Sequence, residues 1–311
     1  MKTIALLLDD TNNRYQQLLA RKAKEKSVSP LAKVLEPLYA DGSSWTQLES
    51  VNMYLRASAP PDAMLVMLAG EQHTGGWLER ALARKVAVVF LNRLPTWMNA
   101  VRGKFPQALV AGVAPTQEMA GELQAAQSLR LVKPGAFVML ITGAAKSPTA
   151  IERQRGFLTA VGRSVTVTHL DGRWSAQEAE RALSDWFKVG AERDRNIDLI
   201  VCQNDAMAVG ARRALASHAV VANRPELANT PTIGCDGLEE EGQQMVLDGA
   251  LAATVILPAT TPAALEILQR YWGSGARADM VQLDVQSFPP LADIRPDRWR
   301  QLSADVARRR T

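Results

Sequence analysis

The sequence predicts an α/β fold of two doubly wound parallel-sheet lobes. Strand-like and helix-like stretches alternate roughly ten times with short breaks, the pattern of a parallel sheet covered by helices on both faces. The apolar runs at residues 63–68, 136–141 and 199–201 are continuous rather than alternating, as strands buried on both faces must be. The length, 311 residues, corresponds to two domains at about 100–200 residues each. So many alternations exceed one ordinary open sheet, and an eight-stranded barrel is the competing arrangement.

Residues 3–8 read as the first strand and 15–26 as a helix with a basic outer face. Residues 34–39 read as a second strand, with Pro37 suiting an edge. A helix at 45–57 ends at Pro60-Pro61, a strand follows at 63–68, a loop at 70–76 and a helix at 77–84. Residues 86–90 form the next strand, which runs into Leu91, Asn92 and Arg93. The pattern then restarts with strands at 109–113, 136–141 and 165–170 and helices at 116–131, 149–161 and 176–189. Residues 199–201 are a strand stopped by Gln203, Asn204 and Asp205, and a helix runs on to Leu215. Asp205 stands where a helix N-cap belongs, and Asn204 stands at the carboxyl end of a buried strand, where open parallel sheets bind ligands. Strands at 232–235 and 251–257 and helices at 238–247 and 262–272 follow. From Ser287 on, prolines and arginines, among them Arg295, Arg298, Arg300, Arg308, Arg309 and Arg310, read as a solvated tail.

The totals exclude several classes. Lys plus Arg is 36 and Asp plus Glu is 32, a scattered excess of +4 that offers no concentrated basic face for nucleic acid. Two cysteines, Cys202 and Cys235, each fall in a strand-like run and read as small apolar core residues, with a disulfide open only if their strands are neighbours. His73, His169 and His218 lie too far from each other and from the cysteines for zinc spacing, and they have no evident triad partners. No apolar run approaches the ~18 residues of a membrane-spanning helix. The start, MKTIALLLDD, is too short in apolar residues for a secretory h-region and reads as a strand instead. The first strand is followed by DDTNNRY, without the glycines of a dinucleotide fold. Gly143-Ala144-Ala145-Lys146-Ser147 lacks the glycines of a P-loop, and there is no nucleophile elbow. No cofactor is implied.

Polar residues collect just past strand after strand: Asp9, Asp10, Asn13, Arg14 and Tyr15; Asn92 and Arg93; Lys146, Glu152 and Arg153; Arg173 and Trp174; Asn204 and Asp205; Asp236. Parallel strands send these ends to one rim. Carboxylate, amide and guanidinium groups make forked, charge-assisted hydrogen bonds to the adjacent hydroxyls of a polyhydroxy ligand, and an aromatic plane such as Trp174 or Tyr15 suits the C–H face of a sugar ring. Singly, each residue has a plainer role. Asp205 reads as a cap, Asp9 or Asp10 as a cap for the first helix, Trp174 as packing and Arg153 as an ion-pair member.

These residues resemble the type I periplasmic binding proteins, the sugar-binding group that includes ribose- and xylose-binding proteins, and are similar to the ligand cores of lactose-repressor-type regulators. The likeness runs from IALLLDDTNNRY to about residue 285 and rests on QNDAMAVGARRAL (203–215), TIGCDG (232–237), DGALAATV (248–255), VAVVFLNR (86–93) and IERQRGFLTAV (151–161). It implies two lobes joined by three crossings, residues 1–113 with 258–282 and 114–257 with 283–311, with a ligand cleft between them that closes on the ligand. Carried over one at a time, the ligand positions are Asp9, Asn13, Arg14, Tyr15, Asn92, Arg93, Arg153, Trp174, Asn204 and Asp236. Asn92-Arg93 departs from an Asp-Arg pair. Val255-Ile256-Leu257-Pro258 stands where the family usually places a ligand-binding Gln.

The resemblance implies a non-catalytic, monomeric sugar binder serving the permease of an ABC-type importer or a membrane sensor. It implies a periplasmic setting, while the start as written reads as cytoplasmic. Two alternatives remain: a cytoplasmic sugar-responsive regulatory core, for which a first strand at Thr3 leaves no helix-turn-helix ahead of it, and a carbohydrate-metabolising enzyme.

Overall fold

A computed structural model describes residues 1–26, 32–69, 76–189, 196–297 and 299. The chain begins with β1 (Lys2–Leu8), α1 (Arg14–Lys26), β2 (Ala32–Val34), β3 (Leu38–Tyr39), α2 (Ser44–Arg56), β4 (Ala63–Val66), α3 (Gly76–Ala83), β5 (Ala87–Leu91), α4 (Met98–Lys104) and β6 (Val110–Pro115). It continues with α5 (Gln117–Leu131), β7 (Phe137–Thr142), α6 (Pro148–Val161), β8 (Thr166–Asp171), α7 (Ala176–Lys188), β9 (Leu199–Cys202), α8 (Asp205–Val221), β10 (Thr232–Ile233), α9 (Gln244–Leu247) and β11 (Thr254–Ile256). Helix α10 (Thr261–Ser274), β12 (Met280–Leu283) and β13 (Gln286–Phe288) complete it. Two compact units result. Unit 1 comprises Met1–Pro115 and Pro258–Leu283, and unit 2 comprises Thr116–Leu257 and the chain from Asp284 on.

Unit 1 is a seven-stranded sheet in the order β12-β6-β5-β4-β1-β2, with β3 also on β1, and every pairing is parallel. Its central strands are buried along their whole length, which is why they read as unbroken apolar runs. Trp77, Phe90 and Trp97 pack edge to face with ring centroids 5.8–6.3 Å apart, the geometry aromatic quadrupoles favour.

Unit 2 has a parallel sheet in the order β10-β9-β7-β8 and an antiparallel pair, β11-β13. Single bridges, Ile233 to Ala253 and Asp236 to Ile256, join the two. A Cβ on Gly121 of α5 would lie 2.0 Å from the Arg153 carbonyl oxygen, and one on Gly156 of α6 would lie 2.1 Å from that of Glu118. The two glycines therefore let α5 and α6 touch backbone to backbone, which fixes the height of Arg153 over the sheet.

The structure corrects several expected elements. The strand expected at 34–39 is two short strands, both on β1, because the stretch around Pro37 has one amide fewer to give to a ladder. Helix α4 was not expected, although Met98, Val101 and Phe105 recur at helical spacing on its inner side. The helix expected at 238–247 is a single wide turn at Glu239–Gln243 followed by the short α9. The strand expected at 251–257 is only β11. The expected solvated tail instead supplies β13, a buried Ile294 and a buried Trp299, whose Nε1 donates to the Asn229 carbonyl at 3.1 Å. Arg295 is exposed as expected. The loop at 70–75, His73, and Arg298, Arg300 and Arg308–Arg310 lie outside the described residues. Cys202 and Cys235 are free, buried thiols, and burial pushes the Cys235 thiol up to about 12.

Candidate functional site

Because every strand in the main sheets is parallel, each unit gathers the carboxyl ends of its strands along one edge. Two sets of polar side chains result, one per unit.

In unit 1 the set follows β1 and β5. The backbone amides of Asp9 and Asp10 both donate to Gln16 Oε1, at 2.7 and 3.0 Å. Gln16, which the sequence reading passed over, thus ties the strand end to α1. The cap of α1 is neither aspartate but Asn13, whose Oδ1 accepts from the Gln16 amide at 3.1 Å. Asp10 accepts from the Asn12 amide within the turn. Asp9 keeps one buried carboxylate oxygen, Oδ1, without a hydrogen-bond partner. Burial raises its pKa and the Arg93 guanidinium pulls it back. Arg93 itself donates to the Leu68 carbonyl at 2.6 Å. Asn92 is buried with φ of 66°, a left-handed geometry that Asn tolerates better than most residues. Tyr15 is buried and its hydroxyl donates to the Pro258 carbonyl at 2.8 Å, where the chain re-enters unit 1. Arg14 is exposed and reaches toward Gln17.

In unit 2 the set is tighter. Arg153 is buried, with Nε donating to Gln117 Oε1 at 2.7 Å and Nη1 to the Gln203 carbonyl. Neither partner is a carboxylate, so the expected ion pair near Glu152 is replaced by neutral acceptors. Its guanidinium lies over the Trp174 ring, 5.5 Å from the centroid, a cation–π contact. The indole packs directly on Gly143, where a Cβ would come within 2.1 Å of the ring; that glycine makes room for an aromatic plane, not for a phosphate. Arg173 and Trp174 both take positive φ, 47° and 64°.

The cap expected at Asp205 is supplied by Asn204 instead. Asn204 is the N-cap of α8, its Oδ1 accepting from the Met207 amide at 2.8 Å, and its Nδ2 donates to the Trp174 carbonyl at 3.1 Å. Asp205 caps nothing in its own helix. Its carboxylate accepts from the Gly237 amide at 2.8 Å and from the Thr254 hydroxyl at 2.7 Å. A cap must have non-helical backbone, and Asn204 has it (φ −149°, ψ 166°). Gln203, expected only to end the strand, accepts from the Gly143 amide and donates to the Ala150 carbonyl, each at 2.9 Å.

Asp236 completes the set. Burial pushes its carboxyl up to about 7, with the Arg153 guanidinium pulling it down and the Glu241 charge pushing it up. Asp205 is likewise raised well above the ordinary carboxyl value, by burial first and then by the charge of Asp236. Arg153, Trp174, Asn204 and Asp236 are thus linked by contact or by charge. This arrangement offers one guanidinium, one carboxylate, one amide and one aromatic plane, fitted to hydroxyls and a C–H face.

A groove of about 1080 Å³ opens at the opposite, amino-terminal ends of β7 and β9, lined in part by Lys133, Asp198 and Trp299. It contains none of the residues nominated from sequence. Among the described residues no cluster of three or more His, Cys, Asp or Glu side chains is arranged to hold a metal ion, and no helix is long and apolar enough to cross a membrane.

Comparison with known proteins places these two sets of side chains in context. The family profile described as "Periplasmic binding protein domain" matches residues 4–265. The D-galactose/methyl-galactoside binding periplasmic protein of Haemophilus influenzae is 26% identical over 246 residues, covering 74% of this chain and 70% of that protein. The ribose import binding protein of Salmonella typhimurium is 25% identical over 257 residues, covering 81% and 78%. Among solved structures, an ABC transporter periplasmic solute binding protein from Actinobacillus succinogenes with bound D-allose superposes with a TM-score of 0.80 at 16% identity, covering 97% of this chain and all of that one (100%).

Proposed function

From the membership of this chain in the periplasmic binding protein family, whose profile spans most of its length, we propose that it binds a small sugar, a pentose or hexose, without altering it, as the solute-binding component of an ABC-type importer or the receptor for a membrane sensor. The observation that carries the reading is the cluster of Arg153, Trp174, Asn204 and Asp236 at one edge of unit 2. There a buried cation, held by two neutral acceptors on Gln117 and Gln203, lies over the Trp174 ring, the Asn204 amide donates to the Trp174 carbonyl, and the half-buried Asp236 carboxyl feels the Arg153 charge. Sugar relatives by name, for galactose and for ribose, support the ligand class. We further propose that Asp9, Asn13, Asn92 and Arg93 of unit 1 contribute to the same ligand. Arg14, exposed, and Tyr15, committed through its hydroxyl to Pro258, are weaker members of the set.

Titration calorimetry with D-galactose, D-ribose and D-allose tests this directly. One of these sugars should bind, and Asp236→Ala should weaken it about 10- to 100-fold, the range for losing a hydrogen bond to a charged group. The sugar should be recovered unchanged after long incubation. Undiminished affinity in Asp236→Ala removes the site assignment, and any product formed from the sugar shows an enzyme instead.

A further inference from the structure

Asp205 is a buried carboxylate that the ligand-binding reading does not use. It opens α8, yet both oxygens point away from its own helix, to Gly237 and Thr254. The surroundings are cut to its shape. A Cβ on Gly234 would lie 2.0 Å from Oδ1, and one on Gly242 would lie 2.0 Å from Oδ2. Asp236 sits between those contacts with φ of 114°, followed by Gly237 at 58°. A non-glycine residue keeps such a conformation only where its surroundings over-determine it. The ties are visible. The Asp236 amide donates to the Val255 carbonyl and the Asp236 carbonyl accepts from the Leu257 amide, both at 3.0 Å. Asp205 holds the next amide, Gly237, and also the Thr254 hydroxyl on the same strand, β11. One carboxylate therefore joins the start of α8, the Asp236 turn and the last strand before the chain passes to Pro258.

We propose that Asp205 is a positioning residue for sugar binding: it clamps the Asp236 turn onto β11 and so holds the Asp236 carboxylate in its binding geometry. The proposal rests on the sugar-binding reading above. It concerns a residue that touches no ligand and acts through Asp236, so its signature is coupling.

A double-mutant cycle separates this from a role in stability alone. Affinity for whichever of D-galactose, D-ribose or D-allose binds is measured by calorimetry on folded protein for Asp205→Ala, Asp236→Asn and the double variant. Asp205→Ala is expected to weaken binding about tenfold or more when Asp236 is present and less than threefold when it is Asn. Asp205→Asn, which can still accept from the Gly237 amide and donate to the Thr254 hydroxyl, is expected to restore most of the affinity. Thr254→Val, which removes one tether and leaves the packing, carries the same cycle if Asp205→Ala does not fold. Equal losses in both Asp236 backgrounds, or none, overturn the positioning role while leaving the sugar site standing. If Asp236→Asn itself has no effect on affinity, the site assignment falls, and this proposal with it.

Discussion

The Asp236 carboxyl titrates near 7 in the folded protein because burial opposes its charge more strongly than Arg153 supports it. An unfolded Asp titrates near 3.9. Between these values the unfolded chain releases its proton first, so rising pH favours unfolding across that window. The contribution of Asp236 to stability is therefore complete below about pH 4, falls through to about pH 7 and is flat above. Asp205, raised in the same direction by burial and by Asp236, acts with the same sign. Thermal melts of the sugar-free protein should show Asp236→Asn gaining on the parent steadily from pH 4 to pH 7, with no further gain above. A difference independent of pH over that range would mean that the carboxyl is not held protonated. At this scale the sequence was legible by position and not by role. NDAM placed two polar residues at a strand end, but only backbone angles could say which one capped the helix. Asn13 shows the same limit, since DDTNN offers several caps and the fold uses the last Asn. Gln16 and Gln117 left no signal, because a glutamine bonded to a backbone amide or a guanidinium looks in sequence like any polar helix residue; Gln203 was visible only as a residue that ends a strand.

Helices α5 and α6 carry the element-scale argument. Replacing an exposed helical Gly by Ala ordinarily stabilises by about 1 kcal/mol. At Gly121 or Gly156 the new methyl would meet carbonyl oxygen at 2.0 or 2.1 Å, and backbone cannot swing aside as a side chain can. Gly121→Ala and Gly156→Ala should each destabilise by about 1–3 kcal/mol, the range for overpacking. Because α6 carries Arg153, both should also weaken sugar binding. Chemical denaturation checks the sign, and a stabilised Gly156→Ala would refute the close contact. The same scale explains what the sequence could show of the fold. Buried parallel strands such as β4, β5, β7 and β9 announce themselves as unbroken apolar runs. β2, β3, β10 and β13 are two or three residues long, too short for any periodicity. β12 is half-exposed, and α4 hides between Pro95 and Pro106.

At the scale of the whole chain, the three segments of sequence that pass between units mean that neither unit is a continuous stretch. A ligand that draws on both should then protect the entire molecule against heat, not one unit of it. Sugar at 100 times its Kd stabilises by about 2.7 kcal/mol. At about 2–4 °C per kcal/mol for a domain of 150–250 residues, the melting midpoint should rise by about 5–10 °C. Asp236→Ala in unit 2 should remove most of that rise. Asp9→Ala in unit 1 should reduce it as well, since it deletes a buried carboxylate oxygen that has no partner within the protein. If the rise survives Asp9→Ala and Asn92→Ala intact but disappears in Asp236→Ala, the ligand rests on unit 2 alone. The unit 1 residues then hold the first strand end in shape, as Gln16 does for Asp9 and Asp10.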